Sequence, residues 1–169
     1  MSTTRSTGLA RLAGIIAVVA GIVFIIAGGV TWGMVTSQLK AENITVPEDA
    51  AFLAGAEVQG PLSAYAQADI INTHALAGTD GRTYAELGSA MREVEPGSPE
   101  HEELQAQRDS VMNASFLRAS LFTSVVSYGV AALVIGLGAL LILIGLGMNQ
   151  LSKATVPVEQ DRDPVGARA

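Results

Sequence analysis

The chain contains no cysteine among its 169 residues. This absence excludes disulfides, thiolate metal ligands, a cysteine nucleophile and a lipid-modified cysteine anchor. Histidine is scarce as well, with two residues, and charged side chains make up only 15% of the composition. Hydrophobic residues reach 49%, a balance that is typical of membrane proteins rather than of globular domains.

The longest stretch without a charged side chain covers residues 119–152, between Arg118 and Lys153. About 20 apolar residues in a helix span the hydrocarbon core of a bilayer. A helix is also the only open structure that satisfies its own backbone hydrogen bonds in lipid. We therefore predict a transmembrane helix over residues 119–148.

A second apolar run covers residues 12–35, and no charge lies between Arg11 and Lys40. Its beginning resembles a signal peptide, but a cleavable signal has an apolar core of only about 7–15 residues. Trp32 lies one turn from its end, as expected of an interfacial aromatic residue. We predict a retained transmembrane helix over residues 12–35, with a cleaved signal as the alternative.

The two short flanks indicate the topology. Because basic residues close to membrane spans favour the cytoplasmic side, we predict that residues 1–11 and 149–169 are cytoplasmic tails. The second tail, with two prolines and no periodicity, is predicted to be disordered. Lys40, Arg108 and Arg118 favour the opposite topology, because they are basic residues of the segment between the two runs. The basic residues of the flanks are Arg5, Arg11, Lys153, Arg162 and Arg168.

The segment between the two runs, residues 36–118, is strongly acidic. It holds thirteen of the sixteen aspartate and glutamate residues of the chain. Such a charge disfavours nucleic acid and anionic lipid as partners. We predict that residues 36–118 form an acidic, helical, extracytoplasmic domain, inserted between the two helices of an all-α membrane hairpin.

The first predicted helix of this domain begins at a capping-box pattern. Thr45 is followed three residues later by Glu48, and Pro47 lies in the first turn, where proline is tolerated. We predict a helix that continues to about Val58.

Three further helices are predicted from caps and breakers. One begins at Gly60-Pro61 and ends at Gly78, and the next begins at a second capping box, Thr83 to Glu86, and ends before Pro96-Gly97. Ser98 and Pro99 then begin a helix, and no proline or glycine follows from Glu100 to Tyr128. We predict that it enters the membrane unbroken, as a stalk of about 50 residues, or about 75 Å.

Glycines recur on single faces of both apolar runs. Small residues allow close helix approach in lipid, so these rows predict either the contact between the two spans or a face for self-association. The alternative is that glycine is simply common in membrane helices. Gly138 and Gly145 form a further row in the second run. The predicted helix-packing residues are Gly14, Gly21, Gly28, Gly129, Gly136 and Gly147.

Three segments carry a family resemblance. They are TWGMVTSQLKAENITVPEDA, GPLSAYAQADIINTHALAGTDGRTYAEL and FLRASLFTSVVSYGVAALVIGLGALLILIGLG. Together they resemble a family of small actinobacterial membrane proteins, many of which bear the label aromatic ring-opening dioxygenase while others are called hypothetical membrane proteins. The resemblance covers most of residues 9–148. It implies a two-span architecture and brings no catalytic residues.

The dioxygenase label makes a demand on the histidines. Extradiol enzymes hold iron with two histidines and one carboxylate, so both His74 and His101 would have to be ligands. They lie on different predicted helices and form no HExxH spacing. We interpret His74 as a hydrogen-bonded core residue and His101 as a solvated one. We predict no catalytic residue, metal ligand or cofactor.

Three functions remain open at this point. The leading hypothesis is a structural or accessory subunit of a membrane complex that presents the acidic domain outside the plasma membrane. Its partners would be the lipid bilayer and another protein or a second copy of the chain, and not nucleic acid. The alternative is a metal-dependent enzyme or a ligand-binding domain in the loop. An oligomeric channel or transporter is the third, against which the uncharged spans argue.

Overall fold

The computed structural model describes residues 3–153, with side chains described from Gly8 onward. This part of the chain is all-α, as predicted, with four helices. The helices are α1 (Thr3–Ala41), α2 (Pro61–Ala77), α3 (Tyr84–Ala90) and α4 (Pro99–Lys153). Of the tail predicted to be disordered, residues 149–153 form the end of α4, which corrects that part of the prediction, and residues 154–169 lie outside the described part.

Helices α1 and α4 are both long and apolar enough to cross a membrane. They contain the predicted spans at residues 12–35 and 119–148 and extend beyond them at both ends. Helix α4 continues without a break for 55 residues, so the predicted stalk and the second apolar run belong to one helix. The helical hairpin predicted from the two apolar runs is confirmed at this level.

The chain divides into two compact units. The first comprises the described residues up to Ile25 and from Gly136 onward, and the second comprises Ile26–Ile135. Each unit therefore contains a part of α1 and a part of α4. The predicted domain limits at residues 36 and 118 refer to a membrane, and they stay a prediction.

The helix predicted from Thr45 to Val58 is wrong. Thr45 and Glu57 instead form an antiparallel β-bridge. Around it the Val46 amide donates to the Ala56 carbonyl oxygen at 2.9 Å, and the Val58 amide donates to the Ile44 carbonyl oxygen at 2.9 Å. The chain reverses direction between the two sides of this bridge.

Burial explains why the capping-box pattern fails here. Val46 and Val58 are each only 1% exposed, so extended pairing puts two β-branched side chains into the core together. The reversal needs left-handed backbone, which Gly55 adopts with a φ of 72°. Leu53 is also left-handed, with a φ of 54°, a conformation that costs free energy in a bulky residue. Tertiary packing therefore overrides the local helix signal.

The predicted starts of the other helices agree with the structure. Helix α2 runs from Pro61 to Ala77, as expected. The Glu86 amide donates to the Thr83 hydroxyl oxygen and the Thr83 amide donates to the Glu86 carboxylate, which closes the predicted capping box of α3. Helix α3 ends earlier than expected, at Ala90, and turns continue from there to the start of α4.

Two hydrophobic clusters form the core of the second unit. The smaller one, Leu87 with Leu104 and Val111, packs α3 against α4. The larger one joins α1, the segment on both sides of the Thr45–Glu57 bridge (the bridge segment, residues 44–58), α2 and α4. Its buried members are Leu39, Val46, Val58, Ala64, Ala66, Ala68, Leu121 and Tyr128.

Candidate functional site

In the first unit, α1 and α4 meet at two pairs of glycines. A Cβ added to Gly21 would lie 2.5 Å from the carbonyl oxygen of Gly138, and one added to Gly138 would lie 2.6 Å from the carbonyl oxygen of Gly21. Gly14 and Gly145 show the same reciprocal arrangement, at 2.7 and 2.5 Å. Real Cβ atoms essentially never come this close to another atom, so no larger residue fits at these four positions without moving a backbone.

Gly28 occupies an equivalent position in the second unit. A Cβ there would lie 2.6 Å from a side-chain carbon of Ile135 and 2.8 Å from the carbonyl oxygen of Ala131. The sequence spacing is regular, since Gly14, Gly21 and Gly28 are seven residues apart. A seven-residue repeat of small residues keeps one face of a helix against a neighbour when the two supercoil. The structure places all three predicted α1 glycines against α4.

The prediction that Gly129, Gly136 and Gly147 form the contact of α4 with α1 is wrong. Apart from the adjoining turns of α4 itself, no atom of a described residue lies within 4 Å of a Cβ added to Gly129, Gly136 or Gly147. Gly138 and Gly145 take the position instead. Two residues along a helix correspond to about 200°, so Gly136 and Gly138 lie on nearly opposite faces. The other meaning of the predicted row, a face for self-association, stays a prediction.

A buried tyrosine that the sequence analysis did not single out joins three segments of the second unit. Tyr128 is 1% exposed, and its hydroxyl donates to the carbonyl oxygen of Gln59 at 3.3 Å. That hydroxyl also lies 2.7 Å from Thr36 Oγ1, which donates to it because the tyrosine proton is already used. The ring of Trp32 packs edge-on against Tyr128, with centroids 4.7 Å apart. The signal was the single tyrosine of the second apolar run, whose hydroxyl needs a partner when it is buried.

The hydroxyl groups that follow one another at the start of the second apolar run bond to their own helix. Thr123 donates to the carbonyl oxygen of Ala119 at 2.8 Å, and Ser127 donates to that of Thr123 at 2.8 Å. The sequence left open whether they would bond to their own backbone or to the first span. For Thr123 and Ser127, the described hydrogen bonds go to the backbone of α4 itself.

His74 is hydrogen-bonded, but it is not a core residue. Its Nε2 donates to a carboxylate oxygen of Asp49 at 2.7 Å, and both side chains are at least half exposed. This hydrogen bond holds the pKa of Asp49 below its ordinary value. The position of His74 on the apolar row of α2 suggested that it is buried. Its hydrogen bond to Asp49 of the bridge segment explains why the imidazole lies at the surface instead.

His101 lies in the first turn of α4, where its amide donates to the Ser98 hydroxyl oxygen at 3.1 Å. It is half-buried, so the interpretation as a simple solvated residue needs correction. Within residues 3–153, no group of three or more histidine, aspartate or glutamate side chains is arranged to hold a metal ion. The two histidines lie on different helices, and only His74 has a carboxylate partner in the described part.

Comparison of the chain with protein families, with curated proteins and with solved structures finds no match.

Proposed function

We propose that the protein is a two-span protein of the plasma membrane that presents a folded helical segment outside the cytoplasm, and that this segment binds another protein. The proposal has two parts, one about the membrane and one about the partner. They rest on different observations.

The membrane part is carried by the exposure of large apolar side chains on α1 and α4. Only 17% of the most apolar window of each helix is buried within the protein. Leu12, Ile26, Leu133 and Leu143 are all more than half exposed. Exposing so much contiguous apolar surface to water is unfavourable, whereas lipid is the solvent that suits it.

The orientation is proposed from charge. Arg11 and Lys153 belong to flanks that carry further arginines, and the segment between the spans is acidic. Basic flanks favour the cytoplasmic side. We therefore propose that both ends lie in the cytoplasm.

The partner part is supported by the order of the segment between the spans. Two hydrophobic clusters, helix caps and a hydrogen bond from Tyr128 of the second span hold it in place, so it has a defined surface. At the same time that surface exposes aromatic side chains at Tyr65 and Phe52, whose rings lie 6.0 Å apart. Exposed aromatic residues are enriched where proteins bind each other.

Photo-crosslinking in the membranes of the native host tests the partner part. A photoreactive amino acid would replace Thr73 in α2, which is exposed, and Leu140 in α4 would serve as the lipid-facing control. We expect one dominant protein adduct from the Thr73 position and none from Leu140. Leu87→Asp, which disrupts the α3 cluster, should reduce that adduct. The same photoreactive amino acid would also replace Phe52 and Tyr65 in separate variants. An absence of protein adducts from all three positions would contradict the proposal.

A further inference from the structure

A groove of about 790 Å³ lies between α3, the turn that follows it and the first turns of α4. Its basic lining residues are Arg92, His101 and Arg108, and no aspartate or glutamate is among the described residues that line it. The chain as a whole carries a net charge of −6, and most of its acids belong to this same segment. The groove is therefore a basic site on an acidic segment.

Arg108 is held in a fixed position at this groove. The carbon of its guanidinium lies 4.1 Å from the centroid of the Tyr84 ring, a cation–π contact. Its Nε would lie 3.4 Å from a Cβ added to Gly88, so the guanidinium rests on α3 where a side chain is missing. Neither contact uses the N–H groups of the arginine.

The hydrogen-bonding capacity of Arg108 is not filled by the described residues. Its Nε is buried and has no hydrogen-bond partner among them. Arg82 on the same segment differs, since it lies 3.8 Å from Asp80 and donates to Gln107 at 3.1 Å. Because the Nε is buried, a ligand in the groove would meet the Nη groups, which donate no hydrogen bond to a described residue. A planar guanidinium matches a carboxylate well.

Arg92 contributes a second cation. It folds back over α3, where its Nε donates to the Gly88 carbonyl oxygen at 3.1 Å and its Nη2 contacts the Ser89 hydroxyl at 3.4 Å. These two bonds use Nε and Nη2, so Nη1 is left to donate to a ligand.

The remaining wall of the groove is apolar, with Met91, Val94 and Pro96. Met91 and Val94 are only partly covered by the small cluster beneath them. The volume falls within the range of small-molecule sites, and such sites combine apolar walls with a few polar groups that fix orientation.

We propose that this groove binds a small organic carboxylate. The carboxylate group lies against the guanidinium of Arg108, with Arg92 and His101 beside it, and a short apolar body lies along Met91 and Val94. This site does not depend on the protein partner proposed above, since it is defined by its own charge and shape.

The test uses the full chain in nanodiscs of zwitterionic lipid, with empty nanodiscs as the blank. The probe is hexanoate, followed by isothermal titration and by the NMR signals of the arginine Nε–H groups. The comparators are hexanol, which lacks the charge, acetate, which lacks the apolar body, and inorganic phosphate. We expect saturable hexanoate binding that shifts the Arg108 signal, and binding at least about tenfold weaker for each comparator.

Variants assign the site. Arg108→Gln should weaken hexanoate binding about tenfold, because a hydrogen bond to a charged group is lost. Arg82→Gln is the matched control on the same segment and should leave binding unchanged. If Arg108→Gln does not fold, the Arg108 Nε–H signal of the unsubstituted protein decides the question, since hexanoate either shifts it or leaves it in place.

The proposal is overturned if hexanoate does not bind, if phosphate or hexanol binds equally well, or if a folded Arg108→Gln binds hexanoate as the unsubstituted protein does. An Arg108 signal that hexanoate does not move would overturn it as well.

Discussion

The two units hold α1 against α4 by different means. In the first unit, Gly14 and Gly21 bring the two backbones together, and a Cβ at Gly21 would collide with a carbonyl oxygen at 2.5 Å. In the second unit, the contact between the same helices includes large side chains and hydrogen bonds, with Tyr128 between Trp32 and Thr36. The first contact depends on side chains being absent, whereas the second combines one such position, Gly28, with large side chains and hydrogen bonds.

This difference fits the surroundings proposed for each region. Helices in lipid gain little from removing apolar side chains from their solvent, so close packing of small residues drives their association. Tyr128 lies beside a folded segment that supplies a backbone acceptor, the carbonyl oxygen of Gln59. A hydroxyl at that point gains stability because its partner is fixed by the fold.

The largest expected effect comes from filling the glycine contact. Gly138→Leu should lower the free energy of unfolding by about 3 kcal/mol, because the added side chain can be accommodated only by separating the two backbones. The measurement is thermal or denaturant unfolding in detergent, together with protease resistance of residues 42–98.

Gly136→Leu is the matched control, two residues away on nearly the opposite face. An added Cβ at Gly136 has no described neighbour within 4 Å, so stability should change little. Equal losses in Gly136→Leu and Gly138→Leu would contradict the helix contact. A change of oligomeric state in Gly136→Leu alone would instead support self-association through that face.

The second contact is tested by removing one oxygen atom. Tyr128→Phe should cost about 1 kcal/mol, because the Thr36 hydroxyl and the Gln59 carbonyl oxygen lose their partner at a partly buried position. Tyr65→Phe is the control, since Tyr65 is 45% exposed. Chemical denaturation of both variants provides the comparison, and equal stability of Tyr128→Phe and the unsubstituted protein would show that the hydroxyl bonds add nothing.

The composition of the apolar runs and the spacing of their glycines were enough to predict the two apolar helices and the face of α1 that contacts α4. The heptad of Gly14, Gly21 and Gly28 defines a single face of α1. Helix α4 carries two glycine rows, and both satisfy helical spacing. The spacing alone therefore could not tell whether Gly136 or Gly138 faces the other helix, because that choice is set by rotation of α4 about its own axis.

Local caps predicted the starts of α2, α3 and α4, and they failed at Thr45. At Thr83 the capping box agrees with burial of Leu87 beneath it, whereas at Thr45 it conflicts with burial of Val46 and Val58 in an extended pair. Long-range packing decided the second case. The pairing of Tyr128 with Thr36 was equally hidden, since these residues are 92 positions apart in the chain.

An effect of similar size is expected at the α3 cap. Thr83→Ala should cost about 1 kcal/mol, because the amide of Glu86 loses its side-chain acceptor at the helix start. Thr73→Ala serves as the control, since Thr73 bonds within the interior of α2. Amide hydrogen exchange over residues 84–90 measures the cap directly, and unchanged protection there in Thr83→Ala would argue against it.

The smallest effect concerns the surface pair of the second unit. The His74 hydrogen bond lowers the pKa of Asp49 below its ordinary value of 3.8, so the stability that it adds is complete above that pH and is lost as the pH falls through the lowered pKa. His74→Ala should raise the Asp49 pKa towards 3.8, and His101→Ala should not. A carboxyl NMR titration follows both, and an unshifted Asp49 in His74→Ala would contradict the contact.

The placement of the protein in the membrane is the central claim, and cysteine accessibility tests it most directly. The chain has no cysteine, so single Ser2→Cys, Ala77→Cys and Ala167→Cys variants need no background removal. Ala77 is an exposed position on α2, so a thiol there can be reached by the reagent. With a membrane-impermeant thiol reagent, we predict labelling of Ala77→Cys in intact cells and of the other two only after lysis. Labelling of Ser2→Cys or Ala167→Cys in intact cells, with Ala77→Cys protected, would contradict the account.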